Sequence, residues 1–246
     1  MRRFAALFAA LDATTKSSAK VAALAAYFRD APEADRVWTV ALLSHRRPRR
    51  AVTATELRLW AAEAAGVPDW LFEECYAVAG DLAETIAHLL PPPATASDQS
   101  LADWIAALRG LAGAPAEARR AAILCAWDAL TPQERFVFNK LITGGFRMGV
   151  SQGLMTQALA QATGLDAADL AHRLMGDWDP ARVGWNALIG GSADDARPYP
   201  FALATQLDAA PEALGLPDDW LAEWKWDGIR AQAIRRAGAL HLWSRG

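Results

Sequence analysis

The sequence predicts a mainly α-helical protein whose last part changes to β-structure. Hydrophobic residues make up 53% of the chain, many of them alanine, and apolar side chains recur at helical spacing up to about residue 190. From Trp220 onward they alternate as in a strand. Between these parts lie Gly190-Gly191-Ser192 and prolines at 198 and 200, which are typical of a linker. We therefore expect a helical domain over residues 1–200 and the first strands of a second domain over 201–246.

Apolar stripes and capping signals predict the helices of the first half. The first stripe has the i, i+3, i+4, i+7 spacing of an amphipathic helix and consists of Phe4, Leu7, Phe8 and Leu11. After a polar break at 14–17, a second stripe consists of Val21, Leu24 and Phe28. Thr53 and Glu56 form a capping box, and Gly66 ends that helix. Residues 68–90 are expected to be helical throughout, with a weak point at Gly80.

The second half begins with a loop and continues with further capped helices. Three prolines at 91–93 and the polar residues 94–100 predict a loop between two helical lobes, and helices resume at Ser100. Thr131 and Glu134 form another capping box with a proline at the first helical position, and Gly144-Gly145 ends that helix. Ser151 caps the next helix, and Asp166 begins another that stops at Gly176.

Composition limits the possible partners. The net charge is −3, which argues against a generally basic surface, so any nucleic acid must bind through local patches. Two candidates are the arginine run at 46–50, which could equally be a solvated loop, and residues 225–246, with five Lys or Arg against one Asp. Cys75 and Cys125 have no zinc or disulfide spacing and are predicted to be core thiols in a reducing compartment. Without a signal peptide or an 18-residue apolar span, we expect a cytoplasmic protein without membrane contact.

Two segments have the composition of phosphate-binding sites. Gly144, Gly145, Arg147 and Gly149 lie between two capped helices, and the glycines allow a partner to approach the backbone closely. Ser151 and the free amides of the following helix would form a phosphate cradle, to which Arg147 adds a charge-assisted contact. The alternative is a tight turn with the arginine facing solvent. Thr14, Thr15 and Lys16 form a similar group before the second helix, although capping alone would explain the threonines.

The hexapeptide at 225–230 reads K-W-D-G-I-R and predicts a nucleophilic lysine. The alternation from Glu223 to Trp226 places Glu223 and Lys225 on one face of a strand and buries Trp224 and Trp226 on the other. Partial burial and neighbouring cations favour the neutral, nucleophilic form of an amine. Arg230 and Arg245 would supply that positive charge and bind phosphate, and Glu223 could accept a hydrogen bond from the exocyclic amine of adenine. The alternative is an ordinary exposed strand with a D-G turn.

Taken together and in this order, the motifs resemble those of ATP-dependent DNA ligases. E-W-K-W-D-G-I-R and the later L-W-S-R-G at 242–246 are similar to the first nucleotidyltransferase motif and the segment after it. K-L-I-T-G-G-F-R-M-G-V-S-Q at 140–152 resembles the signature of the helical DNA-binding domain of those enzymes. R-P-Y-P-F-A-L at 197–203 resembles the linker into their catalytic core, and residues 2–28 resemble the start of the helical domain. The resemblance covers essentially the whole chain and is strongest to bacterial enzymes with such an N-terminal domain.

The resemblance implies a reaction and a role for each motif. Lys225 would attack the α-phosphate of ATP to form lysyl-AMP, AMP would pass to a 5′-phosphate at a DNA nick, and the 3′-hydroxyl would displace it. Glu223 would recognise adenine, Arg230 would hold ribose or phosphate, and Arg245 would hold phosphate. The DNA backbone would contact the two phosphate-binding segments, namely Thr14, Thr15, Lys16, Gly144, Gly145, Arg147, Gly149 and Ser151. Mg²⁺ would accompany ATP, and no carboxylate of the chain is assigned to it. Such an enzyme serves DNA replication, repair and recombination.

One departure from the family pattern leads to a further expectation. The later nucleotidyltransferase motifs, with their metal-binding carboxylate, and the OB-fold domain are missing from the 246 residues. We therefore expect a monomeric, truncated form that binds nicked duplex DNA and does not seal it alone, with residues after about 205 poorly ordered. Two alternatives stay open. One is a DNA-binding module without catalysis; the other is a lysyl-nucleotidyltransferase of the RNA ligase or capping type, against which the long helical domain argues.

Overall fold

A computed structural model describes residues 1–146, 148–191, 197–201, 206–224, 226–236 and 238–244. Within these ranges the chain forms α-helices up to residue 190, two short 3-10 helices and one antiparallel two-stranded sheet, which confirms the mainly α fold class. The helices are α1 Arg2–Asp12, α2 Ser17–Asp30, α3 Glu33–Leu43, α4 Ala54–Ala65, α5 Asp69–Ala79, α6 Leu82–Leu89, α7 Leu101–Gly110, α8 Ala116–Ala129, α9 Pro132–Thr143, α10 Gln152–Thr163, α11 Ala167–Arg173 and α12 Trp185–Gly190. The 3-10 helices are Pro211–Leu214 and Pro217–Asp219, and the strands are β1 Ala231–Arg236 and β2 Ala239–Ser244.

The predicted capping signals begin and end the helices. Thr53 and Thr131 each form the predicted capping box with the glutamate three residues later, at the starts of α4 and α9. Ser151 accepts a hydrogen bond from the amide of the third residue of α10, at 3.3 Å. Gly66 and Gly144 end α4 and α9 in the left-handed conformation that glycine favours, with φ of 67° and 80°. These boundaries follow from local sequence because each cap involves residues close in the chain.

Residues 68–90 form two helices rather than the single predicted helix. Gly80 ends α5 with φ of 70°, and Asp81 then caps α6, its carboxylate accepting a hydrogen bond from the Glu84 amide at 3.1 Å. A left-handed glycine followed by an N-cap aspartate ends one helix and begins another. The predicted weak point is therefore a complete break.

A single hydrophobic core joins the N-terminal helices to the segment after α9. The predicted stripe of α1 is buried, and the Phe4 and Phe8 rings lie 6.1 and 6.0 Å from the ring of Phe146. At the other end of the helical part, Trp185 of α12 stacks on Phe28 of α2, with ring centroids 6.0 Å apart. Each such buried aromatic side chain stabilises the fold by about 1.5–3 kcal/mol. The core therefore fixes the position of the segment after α9.

The predicted strand at 223–226 is wrong. No strand is assigned to the described residues between 206 and 230, and Trp224 and Trp226 are 83% and 82% exposed rather than buried. The sheet pairs β1 with β2, from Ala231 opposite Ser244 to Arg236 opposite Ala239. Alternation in sequence produces a strand only where another strand or layer covers the apolar face, and the two described strands leave these tryptophans uncovered.

The hairpin of β1 and β2 is attached to the helices through Tyr199. The side-chain amide of Gln232 accepts a hydrogen bond from the Tyr199 amide at 2.9 Å and donates one to its carbonyl oxygen at 2.7 Å. Arg236 donates to the Tyr199 hydroxyl at 2.6 Å, and the ring of His172 in α11 stacks on the tyrosine at 4.6 Å. Gln232 thus pairs with the linker backbone much as a neighbouring strand would.

Two expectations from composition concern the burial of the cysteines and the presence of membrane spans. Both cysteines are free thiols, but Cys125 is exposed and Cys75 is only partly buried, so the prediction of core thiols is wrong. Cys125 lies on α8 beside the buried Ala126, on the side of the helix that faces away from the core. Of the helices described, none has both the length and the apolarity needed to cross a bilayer.

Candidate nucleic-acid interface

The N-terminus of α2 is exposed and has no side-chain cap. Lys16 is the N-cap residue and makes no capping hydrogen bond, while the Thr14 hydroxyl accepts a hydrogen bond from the Lys16 amide at 3.1 Å. Thr15 and Lys16 are exposed, and Thr14 is partly buried. Capping therefore does not explain the two threonines. The first-turn amides of α2 form the positive end of the helix dipole, next to two hydroxyls and an ammonium group.

The segment from Gly144 to Ser151 is anchored by two buried apolar side chains. Phe146 and Met148 both belong to the core, whereas Gly145, Gly149 and Ser151 are exposed and Gly144 is partly buried. We call residues 144–151 the α9–α10 loop. Its central arginine, Arg147, lies outside the described residues. The alternation of core and surface residues holds the loop against the domain while Gly145, Gly149 and Ser151 face outward.

Lys20 joins the α9–α10 loop to the start of α2. Its ammonium group donates to the carbonyl oxygens of Met148 at 3.1 Å and Gly149 at 3.0 Å, and the residue is only 8% exposed. The two predicted phosphate-binding segments, about 130 residues apart in sequence, therefore lie side by side. Lys20 is not among the site residues predicted from the sequence. Its burial could have been predicted from its position, because Lys20 lies four residues before Leu24 and eight before Phe28, on the apolar stripe of α2.

Three glycines of the α9–α10 loop lie against cationic side chains of the protein itself. A Cβ atom added to Gly149 would lie 2.6 Å from the Lys20 ammonium nitrogen, and one added to Gly144 would lie 3.1 Å from a guanidinium nitrogen of Arg47. At Gly145 the corresponding distance to the Lys140 ammonium is 3.3 Å. Gly144 and Gly149 also have positive φ, of 80° and 56°. Backbone conformation therefore favours glycine at 144 and 149, and all three glycines leave room for these cations, whatever partner approaches from outside.

The arginine run at 46–50 tethers loops rather than lying free in solvent. Arg47 and Arg50 donate to the carbonyl oxygens of Gly144 and Thr143, the latter at 2.9 Å, and so satisfy the C-terminal end of α9. Arg46 donates to the Gly176 carbonyl oxygen and lies 4.7 Å from the Trp178 ring. Because Arg47 and Arg50 are exposed, their charge adds to that of Lys16 and Lys20 around the α9–α10 loop. A local cationic surface thus exists on a chain with a net charge of −3.

The predicted nucleotide-binding residues are not brought into one described site. Lys225 and Arg245 lie outside the described residues, Glu223 is exposed, and Arg230 is partly buried. In the described part of the chain, no three His, Cys, Asp or Glu side chains are arranged to hold a metal ion.

Comparison with known proteins places these features in a family. The family model described as DNA ligase N terminus matches residues 1–160, which include both phosphate-binding segments. The Probable DNA ligase of Koribacter versatilis (strain Ellin345) is 26% identical over an alignment 250 residues long with gaps, and this alignment covers 96% of this chain and 43% of that protein. The Probable DNA ligase of Anaeromyxobacter dehalogenans (strain 2CP-C) is 34% identical over 230 residues, which cover 80% of this chain and 44% of that protein.

A third relative agrees with these two. The Probable DNA ligase of Rhodococcus jostii (strain RHA1) is 31% identical over 175 residues, which cover 68% of this chain and 34% of that protein. The chain thus spans less than half the length of these relatives. The family model matches more than half of the chain, and the relatives are bacterial. The chain therefore belongs to the family of bacterial DNA ligases that carry this N-terminal domain.

Proposed function

We propose that residues 1–200 bind duplex DNA through its phosphate backbone, as the DNA-binding domain of an ATP-dependent ligase that acts on nicks. The observation that carries this proposal is the tether from Lys20 to Met148 and Gly149, which brings the start of α2 and the α9–α10 loop onto one cationic surface. The interface would consist of the eight predicted residues: Thr14, Thr15, Lys16, Gly144, Gly145, Arg147, Gly149 and Ser151.

The chemistry of this surface suits phosphate oxygens. Lys20 lies in the first turn of α2, and Gly149, to which it donates, lies just before the first turn of α10. The positive ends of both helix dipoles therefore lie on the same side of the domain. Lys16 and the threonine hydroxyls add donors without the planar, paired groups that read base edges. Binding through such contacts is independent of sequence and weakens strongly with salt.

For the reaction, we propose that Lys225 is the nucleophile. Its amine attacks the α-phosphate of ATP, a P–N bond forms, and pyrophosphate leaves. The 5′-phosphate of the nick then takes the AMP from the lysine, and the 3′-hydroxyl displaces AMP as the phosphodiester bond forms. Glu223 would recognise adenine, and Arg230 and Arg245 would bind ribose or phosphate. The support for these roles is the motif K-W-D-G-I-R after Glu223 and the naming of the relatives as probable DNA ligases.

Arg147→Ala tests the DNA-binding proposal. We expect the variant to bind nicked duplexes of unrelated sequence more weakly and to the same degree, because one phosphate contact is lost. The slope of log K against log salt between about 50 and 200 mM should become shallower by about one. Fluorescence anisotropy measures both. Arg120→Ala, which removes a partly buried arginine paired with Glu63 between α4 and α8, should leave both unchanged. An Arg147→Ala variant with wild-type affinity and slope would mean that the arginine faces solvent.

Lys225→Arg tests the chemical proposal in a ligase that carries this chain together with the remaining catalytic domain. Guanidinium is not nucleophilic at working pH, so transfer of labelled AMP to the protein should be abolished. Nick binding should be retained, since the DNA-binding surface is elsewhere. Adenylate that still forms on the variant, or that maps to Lys20 or Lys140, would contradict the assignment. A protein that binds nicks and never becomes adenylated would instead be a DNA-binding module.

A further inference from the structure

Two lysines are buried in the helical domain, and their charges are compensated differently. Lys20 and Lys140 are each 8% exposed. Lys140 forms an ion pair with Asp81 and lies 5.1 Å from the ring of Phe136. Lys20 donates only to the two carbonyl oxygens of the α9–α10 loop, and none of the ion pairs among the described residues involves it. Among the described residues, one buried ammonium group therefore has a carboxylate partner, whereas the other has only carbonyl oxygens.

A buried cation without an anion costs free energy, and two carbonyl dipoles offset only part of that cost. An ammonium group has three N–H donors, of which the carbonyls of Met148 and Gly149 take two. The bond to Gly149 is only partly buried, and Gly149 itself is exposed, so the nitrogen lies just below the surface. The missing Cβ of Gly149 leaves room for the nitrogen there. An anionic oxygen arriving at this point would take the third donor and compensate the charge.

We infer that Lys20 is a further DNA-contacting residue, which offers its third N–H to a backbone phosphate while its other two hold the α9–α10 loop. This inference rests on the proposed DNA-binding function. If Lys20 only held the α9–α10 loop, its charge would not affect DNA binding; as a phosphate contact, its charge does. This contact also gives a reason why a lysine, rather than a neutral donor, occupies an apolar stripe.

Lys20→Gln and Lys20→Arg separate the charge from the tether. Glutamine keeps a donor for the loop carbonyls and loses the charge, and arginine keeps both. We expect Lys20→Gln to weaken binding to a nicked duplex about tenfold or more, as a charge-assisted contact is lost. Its salt slope should become shallower by about one, whereas Lys20→Arg should keep the wild-type slope. Arg120→Ala is again the control, because this arginine is paired with Glu63 between α4 and α8, and its slope should stay at the wild-type value. Circular dichroism would verify that each variant is folded.

The outcomes separate the inference from the proposal on which it rests. A wild-type slope for folded Lys20→Gln would overturn the inference and leave Lys20 as a tether, even if affinity falls. The same conclusion would follow if the glutamine and arginine variants lost affinity equally. If Arg147→Ala and Lys16→Ala also leave affinity and slope unchanged, the DNA-binding surface itself is wrongly assigned. If those two variants weaken binding while Lys20→Gln does not alter the slope, only the role of Lys20 fails.

Discussion

At the scale of single residues, buried charges in this domain are mostly satisfied by backbone groups of distant segments. Arg135 donates to the carbonyl oxygens of Trp127 and Pro91, the latter at 2.6 Å. Asp35 accepts hydrogen bonds from the amides of Leu101 at 3.2 Å and Ala102 at 2.9 Å, and so caps α7 from another helix. Each contact fixes a loop or helix end against the core, because a buried charge is costly unless it is hydrogen-bonded. These two residues hold the start of the loop after α6 and the start of α7 against the core.

The ion pair of Asp81 and Lys140 makes a pH-dependent contribution to stability. Burial raises the pKa of the Asp81 carboxyl, but the hydrogen bonds from Lys140 and from the amides of α6 outweigh it, so the net pKa is lowered. A carboxyl whose folded pKa is lowered stabilises the fold above its unfolded pKa of about 3.9, and this contribution is lost as pH falls through the folded value. The pair should therefore stabilise the fold at neutral pH and not in strong acid.

Asp81→Asn tests this pair, because asparagine keeps the cap of α6 and removes the charge. We expect a loss of about 1–2 kcal/mol in the free energy of unfolding at pH 7, since the pair is only partly buried. The loss should shrink as pH falls below about 4. Urea unfolding at several pH values measures it. Asp98→Asn, which removes a fully exposed carboxylate 3.8 Å from Arg2, is the control and should leave stability unchanged. A loss for Asp81→Asn that is equal at all pH values would contradict the account.

At the scale of elements, the sequence predicted what local interactions decide. The capping box at Thr131 and the left-handed end at Gly144 each involve residues within one or two turns, and both are confirmed. The strand at 223–226 failed because its burial depends on partners that alternation does not specify. The two phosphate-binding segments were proposed separately, and their proximity through Lys20 depends on the packing of α2 along α10. Lys20 binds the backbone carbonyl oxygens of Met148 and Gly149, and no residue type in the sequence marks which carbonyl oxygens will accept such bonds.

The hairpin should depend on its contact with the linker. Two-stranded ribbons are marginal in water by themselves, and Gln232 makes two hydrogen bonds to Tyr199. We expect Gln232→Ala to speed amide exchange across residues 231–244 about tenfold or more, because both bonds are lost. Arg235→Ala, on the exposed face of the same strand, is the matched control and should leave exchange unchanged. Equal exchange in the two variants would show that the hairpin is stable without Tyr199.

At the scale of the whole molecule, the helical core extends beyond the segment that the family model matches. Leu170 and Leu174 around α11 and Trp185 and Leu188 of α12 are buried, and Arg36 of α3 lies 5.5 Å from the Trp185 ring. Four such side chains contribute about 1.5–3 kcal/mol each, which is comparable with the whole stability of a domain, about 5–15 kcal/mol. Residues 161–190 are therefore part of the same folding unit, and the domain end near residue 200 stays a prediction.

In the proposal above, two segments far apart in sequence form one DNA-binding surface. Hydrogen exchange of the 246-residue chain, with and without a nicked duplex, tests it most directly. We predict that DNA slows exchange in residues 14–20 and 144–153 together, with the same dependence on DNA concentration, and that high salt reverses both effects. The exposed face of α5, which carries Trp70 and Val78, should be unaffected. Protection of one segment without the other, or protection confined to α5, would contradict the account.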